Sequence, residues 1–139
     1  MRKFRFRLQK ILEYREAMEH WAQEAYLETR VARLEGEAAL QDIRSRRSAL
    51  LQNSADSLAE RRELEMAVQV LDDDETAQKT VIEVLVAEES KAFDVWQEKR
   101  RELETMVKLR DHALDAWTLE ETRYEQAQLD EWAVLKRSA

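Results

Sequence analysis

The chain has almost no residues that allow a backbone to turn sharply. Its 139 residues include one glycine, Gly36, and no proline, whereas proteins on average use these residues at about 7% and 5%. Glycine and proline supply many of the backbone conformations found in turns, so a chain this poor in both has few connections. Charged residues make up 38% of the sequence, well above the usual share of roughly one quarter. The sequence therefore predicts an all-α protein with very long helices.

The best candidate for a connection is a short polar segment, Asn-Ser-Ala-Asp-Ser, at residues 53–57. Small polar side chains compete for backbone hydrogen bonds and end helices. Ser57 and Glu60 have the spacing of a capping box, which starts a new helix. We therefore expect helix 1 at about 5–52 and helix 2 at about 58–136.

Four consecutive acids at residues 72–75 are the weakest part of the second predicted helix. Like charges repel one another, and aspartate is a poor helix former. A solvated acidic face on a continuous helix is the favoured interpretation, and a kink or a second break at this position is the alternative.

Both predicted helices carry an apolar seam with the period of a coiled coil. Small residues occupy the middle of the first seam and large residues dominate the second, which favours an antiparallel pairing of the two helices. The first seam is predicted at Leu8, Ile11, Arg15, Met18, Ala22, Ala25, Thr29, Ala32, Gly36, Ala39, Ile43, Arg46 and Leu50. The second is predicted at Leu64, Val68, Leu71, Glu75, Gln78, Ile82, Leu85, Glu89, Ala92, Trp96, Lys99, Leu103, Met106, Arg110, Ala113, Trp117, Glu120 and Tyr124. The prediction is one domain, residues 1–139, folded as a long antiparallel two-helix coiled-coil hairpin.

The position of the turn sets the register of this hairpin, and two registers are consistent with the sequence. A turn near Ser54 leaves the end of helix 2 protruding beyond helix 1. A turn near Asp72 brings the ends flush and pairs Gly36 with Leu103, but it requires helix 1 to continue through the polar segment. The capping signals favour the protruding register, which would expose Leu114, Trp117, Leu119, Tyr124, Leu129 and Trp132. We expect a partner to cover an apolar stripe of that size, with self-association of the protein as the alternative.

The first ten residues, called the basic arm here, contain no acid. Their cations are Arg2, Lys3, Arg5, Arg7 and Lys10. Because the net charge of the whole chain is −7 and these residues carry +5, the remaining residues carry −12. A basic end on an acidic protein predicts a partner that offers acidic or carbonyl groups. The spacing of Phe4, Leu8 and Ile11 predicts that the arm belongs to the start of helix 1.

The sequence contains no recognisable catalytic machinery. The two histidines, His20 and His112, stand apart, and there is no phosphate loop and no Ser/His/Asp set. The absence of cysteine excludes disulfides and thiolate metal sites. We therefore expect no enzyme activity, no cofactor and no metal.

Neither a membrane nor a nucleic acid is an expected direct partner. No stretch approaches the roughly 20 apolar residues that a membrane span needs. Basic and aromatic residues alternate in the arm, as they do in proteins that bind single-stranded nucleic acids, but the acidic remainder of the chain repels phosphate. The simplest interpretation is a soluble cytoplasmic protein that binds other proteins.

Two parts of the sequence together resemble a known family. The first is residues 4–16, Phe-Arg-Phe-Arg-Leu-Gln-Lys-Ile-Leu-Glu-Tyr-Arg-Glu. The second is formed by Trp96-Gln97-Glu98-Lys99-Arg100, Glu125-Gln126 and Leu129-Asp130-Glu131-Trp132-Ala133. Their sequences and separation are similar to those of the FliJ family, small cytoplasmic proteins of the flagellar type III export apparatus with relatives in injectisomes.

This resemblance implies a non-enzymatic stalk and escort protein. FliJ proteins form a two-helix antiparallel coiled coil similar to the central (gamma) subunit of rotary ATPases. The resemblance implies that the end with both termini enters the pore of the hexameric export ATPase and that another part contacts the cytoplasmic domain of the export gate. It also implies that export chaperones are partners, and that the protein reaches the inner face of the cell membrane only through its partners.

The same resemblance places the expected contact residues. Those for the ATPase are Arg2, Lys3, Arg5, Arg7, Lys10, Leu129, Asp130, Glu131 and Trp132. The stripe of Phe, Leu, Ala and His that contacts the gate in the enterobacterial pattern falls on Ala67, Leu71, Asp74 and Gln78. Only Leu71 has the residue type that the pattern requires, so it is the single expected contact with the gate. The alternative is that Leu71 is an ordinary seam residue that packs against helix 1. The alternative functions are a generic coiled-coil scaffold, an export chaperone and an injectisome stalk homologue.

Overall fold

The computed structural model describes residues 2–138, which contain two long α-helices and no strand. Helix α1 spans Gln9–Leu51 and helix α2 spans Leu58–Ser138. The helices pack against each other in antiparallel directions, which confirms the all-α helical hairpin expected from the sequence. Within the described residues, no helix combines the length and the apolar character that a membrane crossing requires.

The connection between the helices lies in the polar segment and has the expected cap. The backbone N–H of Glu60 donates to Ser57 Oγ at 3.1 Å, and the carboxylate of Glu60 accepts the backbone N–H of Asp56 at 3.0 Å. This is the reciprocal arrangement of a capping box, although the carboxylate reaches Asp56 instead of the cap residue itself. Helix α2 then continues as one helix through residues 72–75, so the acidic run does not break it.

The start of α1 differs from the expected start near residue 5. The helix begins at Gln9, whose N–H donates to the carbonyl of Phe6 at 3.2 Å in the turn that precedes it. Arg2 contacts Glu121 and Phe4 contacts Trp117, so two residues of the arm pass four residues of α2. Residues 2–6 have no helical conformation and residues 7 and 8 form a turn, so only Gln9 and Lys10 of the arm belong to α1. The prediction that the arm is helical is therefore wrong for the residues before Gln9.

The described chain is divided into two compact units. The terminal unit consists of Met1–His20 and Glu98–Ala139, and the turn unit consists of Trp21–Gln97. In the terminal unit the best-buried side chains are Leu12, which is 0% exposed, and Met106, which is 8% exposed. Arg15, at a seam position, is neutralised there by Glu102, with 2.7 Å between Arg15 Nη1 and Glu102 Oε2.

The turn unit is held by ring contacts and ion pairs between the two helices. Tyr26 of α1 stacks on Trp96 with ring centroids 5.4 Å apart. Further along α1, Arg33 forms an ion pair with Glu89. Arg47 Nη1 lies 3.0 Å from a carboxylate oxygen of Asp72. These pairs place residues of α1 against residues of α2 in the register in which the end of α2 protrudes.

The predicted seam of α2 is confirmed from Leu64 to Trp117, since each predicted position in that range is at least half-buried. Beyond it, Glu120 and Tyr124 are exposed, and Glu121 is half-buried instead.

The predicted seam of α1 is correct at nine of its thirteen positions. The predicted positions that are buried or half-buried are Leu8, Arg15, Met18, Ala22, Thr29, Ala32, Gly36, Ile43 and Leu50. The predicted positions that are exposed are Ile11, Ala25, Ala39 and Arg46, and in each case the next residue along the chain lies in the seam instead: Leu12, Tyr26, Leu40 and Arg47. The seam therefore has the expected heptad period, with an offset of one residue at these four positions.

Candidate partner-binding end of the terminal unit

The basic arm is docked on the side of α2 by its first residues. The ring of Phe4 lies 5.9 Å from the ring of Trp117, measured between centroids. The guanidinium of Arg2 lies 4.9 Å from the ring centroid of Tyr124. Arg2 Nη1 also lies 3.7 Å from Glu121 Oε1, and because the side chain of Arg2 is largely exposed this ion pair adds little stability. Ring burial and the cation–π contact are therefore the main interactions that hold the arm.

Alternate residues of the docked arm face α2 and solvent. Phe4, Phe6 and Leu8 are half-buried, whereas Arg5 and Arg7 between them are exposed. Residues 4–8 together line a groove with residues of α2 that include Ala113 and Trp117. Such alternation is the geometry of an extended segment with one packed side, whose successive outward side chains lie about 6–7 Å apart.

The outward side chains form a row of cations, Lys3, Arg5 and Arg7, all of which are exposed. The sequence signal for this arrangement is the alternation Phe-Arg-Phe-Arg-Leu, which has the period of an extended segment. The helical interpretation rested on Ile11 as an inward residue, but Ile11 is 44% exposed. The last predicted cation of the arm, Lys10, is exposed in the first turn of α1.

The C-terminal segment of α2, residues 122–138, is exposed at every position. Leu129 and Trp132 are each 60% exposed, and Asp130 and Glu131 between them are exposed as well. The ammonium of Lys136 lies 4.8 Å from the ring centroid of Trp132.

The two predicted groups of ATPase-contact residues lie next to each other along α2. The arm extends to Tyr124, and Leu129 and Trp132 follow five and eight residues later, about 8 and 12 Å along the helix axis. The expected exposure of Leu114, Leu119, Tyr124, Leu129 and Trp132 is confirmed. Trp117 is the exception, because Phe4 covers one side of its ring and leaves it half-buried.

Comparison with protein families identifies the chain. Residues 4–138 match the model of a family described as Flagellar FliJ protein. The chain belongs to the FliJ family. The resemblance seen in the two ends of the sequence is thereby confirmed over nearly the whole chain. Searches of curated proteins and of solved structures gave no match. FliJ membership makes the protein a component of the flagellar type III export apparatus, in a family of structural components that are not known enzymes.

The residue that the FliJ pattern suggested for the export gate lies in the turn unit. Leu71 is half-buried at a seam position of α2. Two of the positions aligned with the same stripe, Ala67 and Gln78, are also half-buried, and the amide of Gln78 donates to the carbonyl of Gly36 at 2.9 Å. Asp74, the remaining one, is exposed. Most of this stripe is therefore engaged in packing between the helices.

Proposed function

We propose that the protein is a non-enzymatic stalk of the flagellar export apparatus whose terminal unit binds the hexameric export ATPase. The observation that carries the proposal is the exposed row of Lys3, Arg5 and Arg7 on an arm that is already docked. Farther along α2, beyond the contacts of the arm, lies a helical segment in which every residue is exposed, including Leu129 and Trp132. The combination offers cations for acidic or carbonyl groups and large apolar side chains for a hydrophobic surface.

The docked state of the arm favours such a contact. A segment that is ordered before binding loses less conformational entropy on association than a disordered tail. The cations attract an acidic surface during the approach of the two proteins. Leu129 and Trp132 then supply the apolar area whose burial stabilises the complex. The resulting binding is expected to weaken as salt increases, because exposed charges are screened.

The proposal includes two further partners. One is the cytoplasmic domain of the export gate, for which Leu71 is the proposed contact. Leu71 is half-buried, but Met66 and Val70 nearby are 71% and 58% exposed and enlarge the apolar surface available there. Export chaperones are the other proposed partner class. The protein would associate with the inner face of the cell membrane through these partners.

Charge reversal of the outward arm residues tests the ATPase contact. The double variant Arg5→Glu/Arg7→Glu leaves the inward aromatic residues in place and changes the charge of the row. We expect it to weaken binding to the cognate export ATPase at least tenfold at about 50 mM salt, a loss of about 1.4 kcal/mol. Biolayer interferometry with immobilised ATPase measures the affinity, and an ATP hydrolysis assay measures stimulation by each variant.

Arg61→Glu/Arg62→Glu is the matched control. Both arginines are exposed in the first turns of α2 and belong to the turn unit, and their reversal changes the net charge by the same amount. We expect this variant to bind the ATPase as the unmodified protein does. Equal affinity of the arm variant and the control would show that the arm does not contact the ATPase.

A further inference from the structure

The outer side of α1 in the turn unit carries an exposed apolar stripe. Leu27, Val31 and Leu34 are 45%, 53% and 48% exposed and follow the i, i+4, i+7 spacing of one helical face. Ala38, one turn further, is also exposed and continues the stripe. Gly36, which faces α2, lies about 180° around the helix from the centre of this stripe. The stripe therefore faces away from the helix pair.

Acidic residues border this stripe on one side. Glu28 and Glu35 line a shallow groove with Leu27 and Val31. Asp42 extends the acidic row by two turns and forms an ion pair with Arg46 at 3.0 Å. Since the row runs along the same helix as the apolar stripe, a partner that covers the apolar residues also meets the carboxylates.

The opposite border of the stripe is mixed in charge. Arg30 and Glu37 are exposed there, and Glu37 accepts a hydrogen bond from Arg33 at 3.0 Å. Beside Leu27, Val31 and Leu34 themselves, the border with Glu28 and Glu35 is thus purely acidic, whereas Asp42 farther along is paired with Arg46. This acidic border restricts the orientation of a partner helix, because the partner must present its cations on that side.

The acidic row argues against two occupants of the stripe. A second copy related by a two-fold axis in antiparallel orientation would place Glu28 and Glu35 against the same residues of the first copy, and facing like charges destabilise helix pairs. A membrane surface with anionic lipids would repel the same carboxylates. Neither a second copy in this orientation nor an anionic membrane can therefore cover the apolar residues favourably.

We propose that this outer face of α1 binds an amphipathic helix of another protein, with an apolar ridge over Leu27, Val31 and Leu34 and with Lys or Arg residues opposite Glu28 and Glu35. Apolar side chains at heptad-like spacing with charges at the flanks are the pattern by which helices select partners. Three half-exposed side chains give a small interface, so the contact belongs to the transient class. The site is separate in sequence from the residues proposed to bind the ATPase and the gate.

Two synthetic helical peptides test this proposal. Both have leucine at four positions with the spacing of the stripe, and they differ only in flanks of lysine or of glutamate. We expect the lysine peptide to bind the full-length protein, measured by fluorescence anisotropy at about 150 mM salt, where nonspecific attraction between exposed charges is screened. The glutamate peptide is expected to bind at least tenfold more weakly. No binding of the lysine peptide would overturn the proposal.

Matched variants locate the peptide. Val31→Asp/Leu34→Asp is expected to reduce affinity for the lysine peptide at least tenfold. Val81→Asp/Val84→Asp, on an exposed face of α2, adds the same charge and is expected to leave the affinity within twofold. Equal effects of the two variants would mean nonspecific attraction to an acidic protein and would overturn the proposal.

A charge swap and a sedimentation measurement complete the test. Glu28→Lys/Glu35→Lys is expected to reverse the preference in favour of the glutamate peptide, and an unchanged preference would contradict the role of the acidic row. Analytical ultracentrifugation of the unmodified protein is expected to show no self-association that depends on Val31. A dimer that Val31→Asp/Leu34→Asp dissociates would instead identify a second copy as the occupant.

Discussion

At the scale of single residues, Gly36 shows how closely the helices of the turn unit approach. A Cβ added to Gly36 would lie 2.9 Å from Leu85 Cδ1 and 3.6 Å from Ile82 Cγ1. Glycine lowers helix stability by about 1 kcal/mol relative to alanine. The close contact with α2, together with the hydrogen bond from Gln78 to the Gly36 carbonyl, offsets that cost.

Substitutions at Gly36 should separate helix propensity from packing. Gly36→Leu is expected to destabilise the protein by about 1–3 kcal/mol, because the larger side chain overpacks the seam. Gly36→Ala should change stability by less than about 1 kcal/mol, since the gain in propensity is offset by moving the flexible end of Leu85. Urea unfolding followed by circular dichroism measures both. Ala38→Leu, at an exposed position of the same helix, is the control, and a Gly36→Leu variant as stable as this control would contradict the packing argument.

Glu75 is a seam carboxylate with cationic neighbours on both helices. Its side chain is 13% exposed, with Lys79 Nζ 3.1 Å from Oε1 and Arg47 Nη1 2.5 Å from Oε2. The hydrogen bond from Lys79 and the positive charges of Arg47 and Lys79 hold the pKa of Glu75 below its ordinary value, against an opposing effect of burial. The hydrogen bond to Asp72 is the largest of the effects that raise the pKa of Arg47 above its ordinary value.

The lowered pKa of Glu75 predicts a pH-dependent contribution to stability. When the folded carboxyl has the lower pKa, the unfolded chain takes up its proton first, so acid favours unfolding. The stabilisation is complete well above the ordinary glutamate pKa of about 4.3 and is lost as pH falls through the lower pKa of the folded state. We expect the unmodified protein to be more stable than Glu75→Gln at pH 7, and the two unfolding free energies to converge as pH falls through the lowered pKa of the folded carboxyl. Urea titrations from pH 3 to 7 measure this difference, with Glu65→Gln as an exposed control, and a constant difference would contradict the prediction.

At the scale of helices and segments, the seam positions can be predicted from the sequence where large apolar side chains fill the seam. Large apolar residues and a regular period marked the seam of α2, and the prediction succeeded there. In α1 the pattern also places Ala25, Ala39 and Arg46 in the seam, but these residues are exposed, whereas Arg33 and Arg47 lie in it at side-chain exposures of 22% and 29%. Acids of α2 neutralise the guanidinium groups of these two arginines, and the sequence of α1 alone does not show which acids those are. Hydropathy alone therefore cannot place every seam position of α1.

The sequence of the basic arm is compatible with two conformations for a similar reason. Phe4 and Leu8 have the spacing of one helical face, but Phe4, Phe6 and Leu8 also alternate with cations, as in an extended segment. Trp117 decides between these patterns, because its ring offers Phe4 a packing site that only the tertiary structure creates. The residues expected to bind the ATPase remain a prediction, although their exposure is consistent with that role.

Removal of the inward rings of the arm should release it from α2. Phe4→Ala/Phe6→Ala takes away the aromatic contact with Trp117 and the apolar side of the arm, so we expect faster cleavage after Arg5 and Arg7. Limited trypsin digestion followed by mass spectrometry measures the cleavage rate, which should rise at least fivefold while the helical circular dichroism changes little. Tyr14→Ala, at an exposed aromatic of α1, is the control. An unchanged cleavage rate would show that these rings do not hold the arm.

At the scale of the whole molecule, the residues that pack between the helices end well before the end of α2. The half-buried and buried positions described extend from Phe4 to Glu121, and residues 122–138 have none. A large exposed apolar side chain such as Trp132 contributes little to folding while it remains solvated, but its burial by a partner is favourable. The proposed binding to the export ATPase therefore requires that this exposed segment can be removed without loss of the fold.

Truncation of α2 after Ala127 should therefore remove binding without removing the fold. This cut retains Tyr124 and its contact with Arg2 but deletes Leu129 and Trp132. We expect the midpoint of thermal unfolding to change by only a few degrees, because the deleted residues are exposed. Affinity for the export ATPase should fall at least tenfold, measured by the same interferometry as for the arm variants. Truncation after Lys136, which keeps the apolar residues, is the control and should bind normally. A folded protein that lacks residues after Ala127 and still binds with full affinity would exclude this segment from the ATPase contact and leave the basic arm as its remaining candidate.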